Sequence, residues 1–450
     1  MIKKNDIIEL DIENCDLGGS GIGRYEGMAI FVPHTASGDR ISARVLKVKK
    51  TYAYAKIEKI LTPSPDRIDC PCPVYGRCGG CAFGHISYEA ELKIKENHVK
   101  ECFRRIAGIE PRLEPVIHDE KVYAYRNKAQ FPVAENGGEI ITGFYASHSH
   151  RVVDCPSCLL QPPEFAGITA AVKEYMKKYG VSAYDEVTGK GLVRHIFIRK
   201  AVGTGEIAVC PVINGRSLPH KEEFCRAVLD ACPDVKSIML NINTGNTNVI
   251  LGSECVCFYG ESYITDILCS LKFRISPLSF YQVNHAVAGL IYAKALEYAA
   301  PCKDETVLDL YCGTGTIGLT LAHAAKEVIG VEIVPQAVED AKINAEINGI
   351  NNARFICGDA KTAALTLKEE GITPGAVILD PPRKGCSPEV IKTVAQMKPR
   401  RIVYVSCDPA TLARDCALFA AQGYNTALVT PADMFPRTGN CESVALLKAD

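Results

Sequence analysis

The sequence predicts an α/β protein. An open, doubly wound sheet forms its C-terminal part, preceded by a central α+β segment and a small N-terminal β-barrel. Three observations carry this prediction. From about Phe280, short apolar runs alternate with helical patterns. Residues 1–60 hold four or five strand-like runs separated by glycine-rich turns. Between them lies a central α+β part, 61–275, of which residues 122–275 alternate strands and turns with few long helices, which leaves 276–450 for the doubly wound part.

The barrel strands are read from DIIELDIENC, GMAIFVPH, DRISARVLKVKK and YAYAKIEKIL, with a turn at Leu17–Gly21, and suggest an OB-type barrel. Arg40, Arg44, Lys47, Lys49, Lys50, Lys56 and Lys59 crowd its last third, with Tyr52 and Tyr54 between them and only Glu58 opposing. Basic residues interleaved with aromatics suit a phosphate backbone with stacked bases. A solvated strand face is the plainer alternative. The chain as a whole carries a formal charge of −1, so any surface for a polyanion must be local.

Pro63–Pro65 marks a linker, followed by CPCPVYGRCGGC over residues 70–81. Cys72, Cys78 and Cys81 have C-x5-C-x2-C spacing, Cys70 stands beside them, and Cys155 and Cys158 follow in DCPSC. Four thiolates can close a tetrahedral zinc site or ligate a [4Fe–4S] cluster, and spacing alone leaves both open. The x5 spacing differs from the C-x3-C-x2-C loop of radical S-adenosylmethionine enzymes, so radical chemistry is not expected. Other cysteines of the 21, such as Cys210, Cys269 and Cys357, sit in apolar strands and read as buried small hydrophobes. Clustered thiols in a reducing compartment point to metal or catalysis instead of disulfides. No apolar signal core opens the chain and no run reaches membrane-span length, so a soluble cytoplasmic monomer is expected. Helices are expected at Tyr88–Ile106, Glu164–Tyr179 and near Glu222–Ala231.

The C-terminal strands are expected at 306–310, 327–332, 353–357, 375–380, 401–406 and 424–430. The first leads into Gly313, Gly315 and Gly318 in G-x-G-x-x-G spacing, then a helix. That order builds a nucleotide-cofactor site, because glycines let the backbone approach the ligand and the helix start offers free N–H groups. Glu332 ends the next apolar run, where a carboxylate can accept both hydroxyls of a ribose. The loop alone fits a dinucleotide as well as S-adenosylmethionine.

Two further strand ends face the same crevice. Asp380 closes VILD before a Pro-Pro turn, and Cys407 closes IVYVSC before a helix whose N-terminus would favour a thiolate. Glu442 lies in FPRTGNCES, read as a loop before the final strand SVALL. A thiolate added at carbon 6 of uracil makes carbon 5 nucleophilic, and a base must later remove the carbon-5 proton. Cys407, Glu442, the glycine loop and the basic barrel fill the roles such a reaction needs.

With these motifs assembled, the whole chain resembles the RNA uracil-5-methyltransferase family, in the branch with an N-terminal TRAM domain and an iron–sulfur cluster. The resemblance rests on C-x5-C-x2-C, FYQVN at Phe280–Asn284, DLYCGTGTIGL, DPPRKG, VSCDPATLARD and FPRTGNCES. It implies an α/β class I (Rossmann-like) methyltransferase domain, a TRAM barrel and a central iron–sulfur domain. It implies a [4Fe–4S] cluster on Cys72, Cys78, Cys81 and Cys158, with Cys70 and Cys155 close enough to be confused with them. It implies S-adenosylmethionine contacts from Gln282, Tyr311, Glu332 and Asp380, with Asp359 as an adenine-side neighbour. Cys407 would be the nucleophile and Glu442 the base. The segment 88–118 would pack on the catalytic domain. Ribosomal RNA, 23S in particular, is the substrate favoured over transfer RNA. Two readings of other classes compete: an RNA-binding assembly factor without chemistry, and a nicotinamide oxidoreductase with an iron–sulfur centre. The intact Cys407 and Glu442 argue against the first, and the basic barrel and SCDP motif against the second.

Overall fold

The computed structural model describes residues 2–449. Five strands open the chain: β1 (Ile7–Cys15), β2 (Ser20–Tyr25), β3 (Met28–Pro33), β4 (Arg40–Val48) and β5 (Tyr52–Thr62). They close into a barrel in the order β1-β2-β3-β5-β4. Strict alternation is the cause: Ile8, Leu10 and Ile12, then Ile41, Ala43 and Val45, then Ala53 and Ala55 point inward and are buried. Closure leaves no unpaired sheet edge.

Helix α1 (Tyr88–Cys102) starts where Ser87 Oγ accepts the Ala90 N–H at 3.2 Å. It continues as a π-type turn over Phe103–Ala107 and stops at Gly108, whose φ of 71° suits glycine. Its apolar residues Val99, Cys102 and Phe103 join a core formed with the C-terminal sheet. The next segment runs beside that sheet too, with bridges from Leu113 to Val429 and from Ile117 to Ala432.

The central part comprises β6 (Lys128–Asn136), β7 (Glu139–Tyr145), β8 (Val152–Asp154), α2 (Glu164–Tyr179), β9 (Val193–Lys200), β10 (Ile207–Ile213), α3 (Lys221–Ala231), β11 (Val235–Ile242) and β12 (Glu254–Gly260). Its seven-stranded sheet has the order β12-β11-β10-β9-β6-β7-β8. Only β10 and β11 pair in parallel, because α3 crosses over between them. Helices α2 and α3 cover one face through Phe165, Ile168, Val172, Phe224 and Val228. On the opposite face, Lys128, Gln130 and Pro132 of β6 line a cavity shared with the cysteine loop. The hairpin of β13 (Ile264–Leu268) and β14 (Leu271–Ile275) follows.

The C-terminal part contains α4 (His285–Ala299), β15 (Thr306–Leu310), α5 (Thr316–Ala322), β16 (Glu327–Glu332), α6 (Pro335–Ile347), β17 (Ala353–Cys357), α7 (Ala360–Glu369), β18 (Ala376–Leu379), α8 (Pro388–Gln396), β19 (Arg401–Ser406), α9 (Pro409–Ala420), β20 (Tyr424–Ala432) and β21 (Glu442–Ala449). The sheet order is β17-β16-β15-β18-β19-β21-β20, parallel except for β21. Both faces are covered, so Val307, Leu308, Val328, Ile329, Val377, Ile378, Ile402 and Val403 are all fully buried. Two cysteines expected in the core lie outside it. Cys357 ends the edge strand β17, and Cys269 occupies the β13–β14 turn; both are exposed, whereas Cys210 is buried.

Candidate active site

The sheet brings five of the expected residues to one edge. Glu332 ends β16, Tyr311 follows β15, Asp380 follows β18, Cys407 follows β19, and Glu442 opens the reversed strand β21. These strands are consecutive neighbours about 4.8 Å apart, so the five residues form one row roughly 19 Å long. The strand order reverses between β15 and β18, where open α/β sheets bind ligands at the carboxyl ends of their strands.

At one end of the row, β19 and β21 pair with Ser406 opposite Ser443. The next position outward on each strand is Cys407 and Glu442, which therefore face each other across about 5 Å of backbone. Glu442 is no solvated loop acid: it begins the strand and is only 6% exposed. Burial pushes its carboxyl up to about 8; the neighbouring Asp380 adds to the shift and Arg383 opposes it. Burial also pushes Asp380 up to about 7. The Cys407 thiol lies above its ordinary value, first through burial and then through Glu442, with Arg383 pulling the other way. The start of α9 was expected to favour the thiolate. Two carboxylates and a half-buried position outweigh it, and Asp408 already caps that helix through the Thr411 N–H at 2.9 Å.

At the other end lies the glycine loop. Gly313 and Gly315 have φ of 56° and 81°, and a Cβ at Gly313 would point into open space. Gly318 is held by its N–H to Asp309 Oδ2 at 2.9 Å, and a Cβ there would press on that oxygen at 2.7 Å. Asp309 is 1% exposed and is pushed up to about 8, chiefly by burial and then by Asp380. Glu332 accepts the Gly313 N–H at 3.1 Å and the Val334 N–H at 2.9 Å, which fixes the carboxylate at the rim. Tyr311 adopts φ of 68°, a backbone state costly for a residue with a side chain and common at ligand sites. Gln282 lies on a segment pinned by the central sheet: Arg199 Nη1 donates to the Ser276 and Ser279 carbonyls at 2.7 and 3.0 Å, and Asn127 Nδ2 donates to the Gln282 carbonyl at 3.0 Å. Asp359 follows β17 and caps α7, accepting the Lys361 and Thr362 N–H groups.

Asp309, Arg383 and the strained Tyr311 backbone were not singled out from sequence. Only Asp309 left a signal there, a carboxylate inside an otherwise apolar strand.

The cysteines gather elsewhere. Cys72, Cys78, Cys81, Cys155 and Cys158 line one cavity of about 360 Å³, together with Arg126, Thr438 and Asn440. Cys70 does not line it; its Sγ lies against Gly84, still near Cys72 and Cys81. Cys155 donates to Cys158 and holds that thiol at about 7 against its burial, whereas burial pushes Cys81 up to about 12. Among the described residues, no three His, Cys, Asp or Glu side chains stand close enough to hold a metal ion. The thiols fit an iron–sulfur cluster in type and number, but they stand apart. No helix among the described residues is long and apolar enough to cross a membrane.

This arrangement has counterparts among known proteins. A family described as tRNA (Uracil-5-)-methyltransferase matches residues 260–450, and the TRAM domain matches residues 3–57, the barrel. An uncharacterized RNA methyltransferase of Halalkalibacterium halodurans is 44% identical over 448 residues, covering 99% of this chain and 98% of the relative. Another from Clostridium tetani is 43% identical over 446 residues, covering 99% and 97%. Among solved structures, the Pyrococcus abyssi tRNA (uracil-54, C5)-methyltransferase in complex with S-adenosyl-L-homocysteine superposes with a TM-score of 0.79 at 28% identity, covering 98% of this chain and 99% of that one. A glycine loop, a row of strand-end acids and a barrel of this kind, matched from end to end, admit one conclusion: the chain is an S-adenosylmethionine-dependent RNA methyltransferase and belongs to the uracil-5 family.

Proposed function

We propose that the chain methylates carbon 5 of a uridine in 23S ribosomal RNA through a covalent adduct on Cys407. The observation that supports this most is the pairing of β19 with β21, which sets a thiol opposite a buried carboxyl at the cofactor edge. Bound S-adenosylmethionine supplies a methyl group on a sulfonium. Gln282, Tyr311, Glu332 and Asp380 would hold it along the row, beside the open space over Gly313. Cys407, having lost its proton to solvent, adds as the thiolate to carbon 6, and the carbon 5–carbon 6 π electrons become an enolate. Carbon 5 takes the methyl group, and S-adenosylhomocysteine is the leaving group. Glu442 then removes the carbon-5 proton, the double bond re-forms, and the Cys407 thiolate leaves. Glu442 must be ionised to do this, and burial sets a cost on that ionisation.

The target base has to leave its stack to reach this edge. Phe280, two residues before Gln282, is 66% exposed and offers a face for it. On the barrel, Phe31, Tyr52 and Tyr54 lie within 5.9 Å of one another beside the exposed Lys47, Lys49, Lys50 and Lys56. That surface suits single-stranded RNA. Among the described residues Lys47, Lys49 and Lys50 have no ion pair, whereas Arg44 pairs with Glu58 at 2.6 Å and Lys56 reaches the same carboxylate at 3.8 Å.

A [4Fe–4S] cluster would sit on Cys72, Cys78, Cys81 and Cys158, which line one cavity, and their thiols would have to draw together around it. Iron and sulfide content and visible absorbance of anaerobically purified protein test this; a colourless, zinc-containing protein contradicts it. A transfer RNA substrate is the second reading, favoured by the full-length likeness to the Pyrococcus enzyme. Mapping 5-methyluridine in ribosomal and transfer RNA from a strain lacking the protein decides: loss at a 23S position supports the first reading, and loss in transfer RNA replaces it with the second.

A further inference from the structure

The segment that delivers Glu442 is fixed from outside its own sheet. The ion pairs and hydrogen bonds that reach Asp433–Arg437 come largely from residues 82–125. Lys95 of α1 is fully buried and donates to Asp433 Oδ1 at 2.6 Å, to Glu91 Oε1 at 2.7 Å and to the Phe435 carbonyl at 3.3 Å. Tyr88 Oη donates to Asp433 Oδ2 at 2.9 Å, and Tyr125 Oη donates to the Pro436 carbonyl at 3.0 Å.

Arg437 is where these contacts converge. Its φ is 70°, a conformation a glycine would adopt without strain. An arginine is present instead, 5% exposed, and its N–H, its carbonyl and its Nη1 are engaged with the N-terminal half, whereas its Nε has no hydrogen-bond partner among the described residues. Its N–H donates to Glu91 Oε1 at 2.7 Å. Its carbonyl accepts the N–H groups of Ala82 and Phe83 at 2.8 and 3.1 Å, directly after Cys81. Its Nη1 donates to the Ile86 carbonyl at 2.8 Å and lies 3.7 Å from Glu91 Oε2. The guanidinium also faces the rings of Tyr88 and Tyr123 at 5.8 and 5.6 Å. Two residues on, Gly439 packs so closely on the barrel that a Cβ would collide with the Leu17 carbonyl oxygen. From its own sheet domain the loop receives Arg383, which reaches Asn440 Oδ1 at 3.4 Å.

We propose that Arg437 is a positioning residue for Glu442: through Glu91 and the Ala82–Ile86 turn, the N-terminal half of the chain sets the geometry in which the carboxylate meets carbon 5. The inference rests on the reading of Glu442 as the base. Removing the clamp leaves Cys407, on β19, where it is, so addition to the uracil proceeds and only the last proton transfer suffers.

The test uses full-length Arg437→Lys and Glu91→Gln, with Glu442→Gln as control, in single turnovers on unmodified ribosomal and transfer RNA transcripts. Adduct formation and release are followed separately on denaturing gels, with S-adenosylhomocysteine affinity and thermal midpoint measured alongside. Both clamp variants are expected to form adduct within about twofold of wild type and release it about 10- to 100-fold more slowly, with cofactor affinity unchanged. A purely structural role would lower formation, release and cofactor affinity together, and that result overturns the proposal. So does unchanged release in both variants while Glu442→Gln traps adduct. If Glu442→Gln traps none, it is the assignment of the base that fails. Should Arg437→Lys not fold, Glu91→Gln, which keeps shape and acceptor, decides.

Discussion

Release of the RNA adduct should depend on pH through Glu442. The perturbation is a pH jump after the adduct has formed, which separates release from the ionisation of Cys407. Burial and Asp380 place the Glu442 carboxyl at about 8, with Arg383 opposing. The carboxylate fraction is then roughly one tenth at pH 7 and roughly nine tenths at pH 9. Release should accelerate about tenfold from pH 6 to pH 7, about fivefold from pH 7 to pH 8 and only about twofold from pH 8 to pH 9. Rapid-quench sampling of the gel-shifted RNA between pH 6 and 9 reads this directly. A rate flat across that range, or one that reaches its plateau by pH 5, would refute the reasoning: Glu442 would then be ionised throughout. Arg383→Gln removes the opposing cation and should move the inflection upward.

The same burial links pH to stability. A carboxyl whose folded pKa exceeds its unfolded value releases a proton on unfolding between the two values, so its stabilising contribution falls as pH rises from about 4.5 to about 8. At 1.36 kcal/mol per unit, Glu442→Gln should gain roughly 4 kcal/mol over wild type between pH 5 and pH 9, read as a thermal midpoint that rises relative to wild type. Gly439→Ala pushes a methyl group into the Leu17 carbonyl and should destabilise by about 1–3 kcal/mol while slowing turnover, measured by thermal melting and methyl transfer. Replacing Lys47, Lys49, Lys50 and Lys56 with Gln should weaken binding to every RNA sequence alike and lower the salt slope by about 0.7 per lost phosphate contact, measured by titration at several salt concentrations.

Much of the C-terminal sheet was legible in the sequence because strands buried on both faces read as continuous apolar runs, as in VLDL, VIGVE and RIVYVS. The barrel was legible for the opposite reason, its one-in, one-out alternation. What stayed hidden depended on partners remote in the chain. Glu442 looked like a loop acid because nothing local says that β21 inserts antiparallel between β19 and β20 and sets it opposite Cys407. The helix at Tyr88–Ile106 was legible, but not the full burial of its Glu91 and Lys95, whose partners Arg437 and Asp433 lie more than 330 residues away. The thiol of Cys407 was expected to be eased toward the thiolate by α9. The sequence places that helix but not the two carboxylates that oppose it.

The central claim is that Cys407 and Glu442 act in turn on one uridine. Digestion and mass spectrometry of the Glu442→Gln protein, incubated with S-adenosylmethionine and ribosomal RNA transcripts, tests it most directly. The account predicts a methylated uridine joined to the peptide that carries Cys407, and no such species from Cys407→Ala. An adduct on another cysteine, or 5-methyluridine formed by Cys407→Ala, would contradict it.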